Sequence, residues 1–195
     1  MIRSMADRIA CVFVQKEIVP REKSEIYSYG MELMIATTIN SALVFASALI
    51  MGVLGKTLIL LIPFFLLRRF AGGYHAKTHI GCTAGFLSVF WTSILIIRII
   101  PPGALTIAAA VMLTTGAAVI LRIGAIAHEN CPVNEGEYLA FKKKARMTTI
   151  LLLCAGSVGL YYLPGWFTWF AFGIFIAAGS LLAARIQNIK ERKCE

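Results

Sequence analysis

The sequence predicts an all-α fold: a polytopic membrane helix bundle with about six transmembrane segments and an N-terminal amphipathic helix. Composition is the first observation behind this. Of 195 residues, 58% are hydrophobic and 15% charged, whereas soluble domains hold about 45–50% and about 25%. The second is the grouping of apolar residues into long runs, with a mean hydropathy of +0.77. The third is charge. A net charge of +9 could point to nucleic acid, but the basic residues fall between apolar runs instead of forming one stripe, so a membrane explains them and nucleic acid does not. Residues 1–195 read as one integral membrane domain, with a cytoplasmic amphipathic segment at 1–30, a transmembrane bundle at 31–184 and a cytoplasmic tail at 185–195.

Residues 1–19 place Ile2, Met5, Ala6, Ile9, Val12 and Phe13 at helical spacing, with Arg3, Asp7, Arg8 and Lys16 largely elsewhere on the wheel. Such a helix lies on a membrane surface or packs against its own bundle. No cleavable signal peptide is expected, because residues 1–30 mix five Lys/Arg with four Asp/Glu and lack a long apolar run. Apolar segments follow at about 31–54, 56–67, 79–100, 103–127, 148–163 and 165–184. A span needs roughly 20 residues. The first, third, fourth and sixth meet this, and the fifth is slightly short. The second, Lys56 to Leu67, either thins the bilayer or is a partial span held by its neighbours.

Charge orients the bundle. With the N-terminus inside, segments 1–30, 68–78, 122–147 and 185–195 carry 17 of the 19 Lys/Arg. Lys56 and Arg98 alone fall toward the outer side. This positive-inside bias predicts that both termini and the 68–78 loop are cytoplasmic.

That loop, Arg68-Arg69-Phe70-Ala71-Gly72-Gly73-Tyr74-His75-Ala76-Lys77-Thr78, leads into His79-Ile80-Gly81-Cys82. It sets two histidines and a cysteine at the membrane edge, where ionisable groups are costly and point to function. A thiolate is the nucleophilic form of cysteine, and a nearby imidazole or cation favours it. Arg68, Arg69, Lys77 or a histidine can supply that. On one straight helix His75 and Cys82 would lie about 10 Å apart along the axis, too far for a base. His79, three residues from Cys82, fits a straight helix better. For His75 to serve, the segment must bend, which Gly72 and Gly73 permit. The other cysteines, Cys11, Cys131, Cys154 and Cys194, are scattered, without a C-x-x-C pair, and read as small packing residues. A metal cluster of His75, His79 and Cys82 completed by His128 and Cys131 competes with the nucleophile.

The stretch LLRRFAGGYHAKTHIGC resembles the accessory gene regulator B (AgrB) family of bacterial membrane peptidases. The matching positions are Arg68, Gly72, Gly73, Tyr74, His75, Ala76 and Cys82. Tyr29-Gly30-Met31-Glu32 is similar to the family's Tyr-Gly-x-Glu at the mouth of its first span, and Pro132-Val133-Asn134 to its inter-helix loop. The resemblance implies a cysteine endopeptidase that trims the C-terminal tail of a quorum-sensing propeptide and assists its cyclisation through a thioester. It assigns Cys82 as nucleophile and His75 as base, with His79 outside the motif and the segment therefore bent. No cofactor or metal is implied. The expected partners are a short membrane-associated propeptide and lipid.

Supporting residues complete the expectation. Glu32 orients a histidine, pairs with Arg68, contacts substrate, or is simply hydrated at the helix mouth. Residues 134–147 read as a basic helix entering the fifth span, with Tyr138, Phe141 and Ala145 on one face. Its Lys142, Lys143 and Lys144 meet lipid headgroups or dock an acidic propeptide tail. Gly173 and Ala177 allow close helix packing within or between chains, so a homodimer is possible. The alternatives to a cysteine peptidase are a small peptide transporter and a metal-dependent protease.

Overall fold

The computed structural model describes residues 2–74, 78–126 and 135–191, and these contain no strand. The helices are α1 (Ile2–Gln15), α2 (Ser24–Ile50), α3 (Leu54–Ala71), α4 (His79–Ile99), α5 (Pro102–Ile123), α6 (Glu135–Tyr162) and α7 (Pro164–Glu191), with a short 3-10 turn at Arg21–Lys23. The all-α membrane bundle is therefore observed. Helices α2, α4, α5, α6 and α7 are long and apolar enough to cross a membrane.

Helix α3 differs from the sequence reading. The twelve-residue apolar run is the middle of an 18-residue helix, about 27 Å long at 1.5 Å per residue. Its last turn absorbs Arg68 and Arg69, which the sequence reading placed in a loop. The reason is packing: Leu67 and Ala71, one turn apart, are both buried, so helical geometry continues past the charges. Cations also suit a helix C-terminus, where carbonyls concentrate negative charge.

Helix α7 is the centre of the bundle and packs most extensively on α3 and α5, with α6 also against it. One core joins Phe64, Leu67, Leu113, Ile120, Leu152, Ile174 and Leu181. A second joins Val44, Leu61, Phe90, Ile94, Trp169 and Phe172, bringing α2 and α4 onto α3 and α7. At Gly173 the α3 and α7 backbones meet: a Cβ there would lie 2.1 Å from the Leu60 carbonyl oxygen. Gly173 and Ala177 thus pack within the chain.

Helix α1 folds back on α2, burying Ala6 and Ala10, and the Ser28 hydroxyl donates to Asp7. Met5 and Val12 stay exposed. Helix α6 runs unbroken from the basic stretch through the fifth apolar segment, 28 residues in all, so that segment is not short. Connections are tight at the end where α6 meets α7: Leu163 alone separates them, and Pro164 takes the first helical position, where a missing N–H costs nothing.

Candidate functional site

The turn after α3 is built from its backbone outward. Gly72 closes the helix with φ +79° and ψ −158°, a region open in practice only to glycine and costing other residues roughly 1–3 kcal/mol. A Cβ at Gly72 would also lie 3.0 Å from the Ile126 carbonyl. The Ile126 N–H in turn donates to the Ala71 carbonyl at 3.0 Å. This ties the end of α3 to the strip that follows α5. At Gly73 a Cβ would sit 2.7 Å from the Ser180 hydroxyl on α7, so only glycine lets the chain lie against that helix.

Arg68 and Ser180 then clasp the turn. One guanidinium nitrogen, Nη1, donates to Ser180 Oγ at 3.2 Å, and Nη2 donates to the Tyr74 carbonyl at 2.9 Å. The Tyr74 N–H donates to the Ser180 carbonyl at 3.0 Å and to its hydroxyl at 3.1 Å. The guanidinium also stands 5.6 Å from the centre of the Phe64 ring, a favourable distance for a cation over an aromatic face. Arg69 by contrast is exposed, with its guanidinium 5.9 Å from the centre of the Phe70 ring.

Helix α4 starts anew beyond this turn. Thr78 is extended, at φ −126° and ψ 144°, and caps the helix by accepting from the Gly81 N–H at 3.1 Å. A single straight helix through 75–82 is thereby excluded. Cys82 is half-buried in the first turn, with its N–H on the Thr78 carbonyl at 3.0 Å. It stands at the positive end of the α4 dipole. The neighbouring Thr83 donates to Asn40 Oδ1 at 2.5 Å, pinning this turn to α2. His75, His128 and Cys131 lie outside the described residues, as does the side chain of His79. No cluster able to hold a metal occurs among the described residues.

The remaining expected residues separate. Glu32 is half-buried inside α2. Because that helix begins at Ser24, Glu32 sits in its third turn and not at a helix mouth. The three lysines are not equivalent. Lys142 lays its stem over Gly124, where a Cβ would lie 2.5 Å from Lys142 Cγ, and its ammonium is 6.0 Å from the Tyr138 ring centre. Tyr138 donates from its hydroxyl to the Ala125 carbonyl at 3.1 Å, and Arg146 Nε donates to that of Leu121 at 3.2 Å. Tyr138, Lys142 and Ala145 make the inward face, whereas Phe141, Lys143 and Lys144 are exposed. Phe141 therefore does not share the buried face as expected.

Sequence reasoning missed Ser180, Asn40 and Thr83. Ser180 and Thr83 are single hydroxyls among small and apolar residues, Asn40 is one of several polar residues at 37–41, and spans carry many of these without consequence. An apolar groove lined by Cys154, Val158, Leu163 and Phe167 belongs to the opposite end of α6 from the basic residues.

The signature of accessory gene regulator B matches residues 6–184, which takes in every helix from α1 to most of α7. The chain belongs to the accessory gene regulator B family. A Listeria innocua serovar 6a protein named AgrB-like is 27% identical over 155 residues, covering 76% of this chain and 73% of its own length. One from Listeria monocytogenes serotype 4a is 26% identical over the same shares. No solved structure matches the chain. Membership of the AgrB family gives the protein a role in the accessory gene regulator system, and its helices make it a multi-pass membrane protein.

Proposed function

We propose that this AgrB-family protein is a membrane cysteine endopeptidase that removes the C-terminal tail of a propeptide and assists ring closure of the remainder. The observation that carries this reading is Cys82 in the first turn of α4, which starts just beyond the turn that Arg68 clasps at the Tyr74 carbonyl. The Cys82 thiol passes its proton to His75 and its sulfur attacks the carbonyl at the cut site. The C–N bond breaks, His75 returns the proton to the leaving amine, and the peptide stays on Cys82 as a thioester. A cysteine or serine of that peptide then attacks the thioester carbonyl. Its ring closes as the Cys82 sulfur leaves and is reprotonated. Water competes for the thioester, so a site recessed among helices favours cyclisation. Tail release from a propeptide by the purified chain in lipid vesicles should survive EDTA and be lost to iodoacetamide. Inhibition by EDTA with reversal by zinc would overturn the reading in favour of a metalloprotease.

The site is read as cytoplasmic, on the positive-inside bias of the flanking segments. With the native cysteines replaced, a single cysteine at Thr78 should resist an impermeant maleimide added to intact cells, and strong labelling from outside would reverse the orientation. Lys143 and Lys144, which face outward, are proposed to attract an acidic propeptide tail, while Lys142 holds α6 on Gly124. Replacing Lys143 and Lys144 with Gln should raise KM several-fold with little change in kcat. The effect should fade with salt, since exposed charges are screened beyond about 8–10 Å. Unchanged KM at low salt would leave these lysines to lipid alone.

A further inference from the structure

We infer that Ser180 of α7 is a positioning residue for the active turn, acting through Arg68 and the Tyr74 backbone. This rests on the His75–Cys82 reading. Ser180 is the common partner of the clasp. Its hydroxyl accepts from Arg68 Nη1 and from the Tyr74 N–H, and its carbonyl accepts from the same N–H. Arg68 Nη2 closes the circuit on the Tyr74 carbonyl. Both polar groups of the Tyr74 backbone are thus held, and its carbonyl belongs to the peptide bond that enters residue 75. Gly73 fits the same logic, because any side chain there would strike the Ser180 hydroxyl.

The anchor is also rigid. Ser180 is followed by Leu181, which is fully buried, and preceded by Ala177 and Ala178, both in the core. The turn is therefore referenced to the central helix of the bundle, while the first turn of α4 is referenced to α2 through Thr83 and Asn40. Tyr74, the neighbour of the proposed base, and the nucleophile are thus held by two separately anchored elements, and Ser180 fixes the first of them. Near-attack geometry is sensitive to shifts of about 1 Å, which can cost roughly a hundredfold in rate. A serine that touches no substrate can therefore matter to turnover.

The test needs no knowledge of the propeptide. In full-length chain with Cys11, Cys131, Cys154 and Cys194 replaced by alanine, the alkylation rate of Cys82 by iodoacetamide at neutral pH reads how well the base serves the thiol. His75→Ala should slow it about tenfold or more. Ser180→Ala should slow it about tenfold and speed exchange of the Tyr74 amide, while Ser180→Thr, which keeps the hydroxyl, should restore both. If His75→Ala leaves the rate unchanged, the underlying assignment of the base fails. If His75→Ala slows alkylation but Ser180→Ala does not, the positioning role fails by itself. Equal slowing by Ser180→Thr and Ser180→Ala, at unchanged Tyr74 exchange, also overturns it, since the hydroxyl would then be irrelevant.

Discussion

Cys82→Ala should abolish tail release, with a loss on the order of 10⁴-fold or more, because removing a nucleophile removes the covalent route entirely. His75→Ala should do nearly as much damage, since nucleophile and base work as a unit and their losses are not additive. Replacing Cys11, Cys131, Cys154 and Cys194 together should leave most activity. Cys11 and Cys154 are both exposed and distant in sequence from the clasped turn. His79→Ala is the discriminating variant. His79 is the first residue of α4, on the same helix as Cys82, so spacing alone allows it to be the base. The break at Thr78 removes the straight-helix objection to His75, the family resemblance assigns the base to it, and His79→Ala is expected to keep substantial activity. A gel assay of tail release across these four variants decides it. Death of His79→Ala with survival of His75→Ala would exchange their roles.

Gly173→Ala should be strongly destabilising. Its Cβ would stand 2.1 Å from the Leu60 carbonyl oxygen and 2.9 Å from Pro63 Cγ. A helix backbone cannot swing aside as a side chain can, so α3 and α7 must part. Overpacking of this kind costs about 1–3 kcal/mol and sometimes more, and here the upper end is expected. The same separation would draw Arg68 away from Ser180, so tail release should fall along with Tm in detergent. Gly179→Ala makes the control. Nothing lies within 4 Å of a Cβ there, and alanine favours a helix by roughly 0.5–1 kcal/mol. A Gly173→Ala protein as stable as Gly179→Ala would contradict the close contact of α3 with α7.

The helices were legible wherever hydropathy ran long. The runs at 79–100 and 165–184 became α4 and most of α7, because in lipid an apolar run has little choice but to be a helix. What charge obscured was length. Arg68 and Arg69 read as loop, yet buried Leu67 and Ala71 carry α3 through them. Lys142, Lys143 and Lys144 read as one cluster, but helical rotation turns the first inward over Gly124 and leaves the others outside. The Arg68-Gly72-Gly73 pattern was legible as a motif. Its meaning in space was not, because the partner, Ser180, lies 112 residues away from Arg68, and no local pattern marks a long-range pair. Local rules only permitted the bend, through Gly72 and Gly73, and the family resemblance supplied it; the capping role of Thr78 became visible in the structure.

The central claim is that the Cys82 sulfur carries the peptide between cleavage and ring closure. Acid quenching of the purified chain during turnover of a propeptide, followed by digestion and mass spectrometry, reads this directly. A propeptide whose ring-closing cysteine or serine is replaced by alanine should accumulate the adduct. The account predicts an acyl group on Cys82 with the mass of the propeptide less its tail, removable by hydroxylamine. Cleavage that proceeds with Cys82 unmodified at every time point would contradict it.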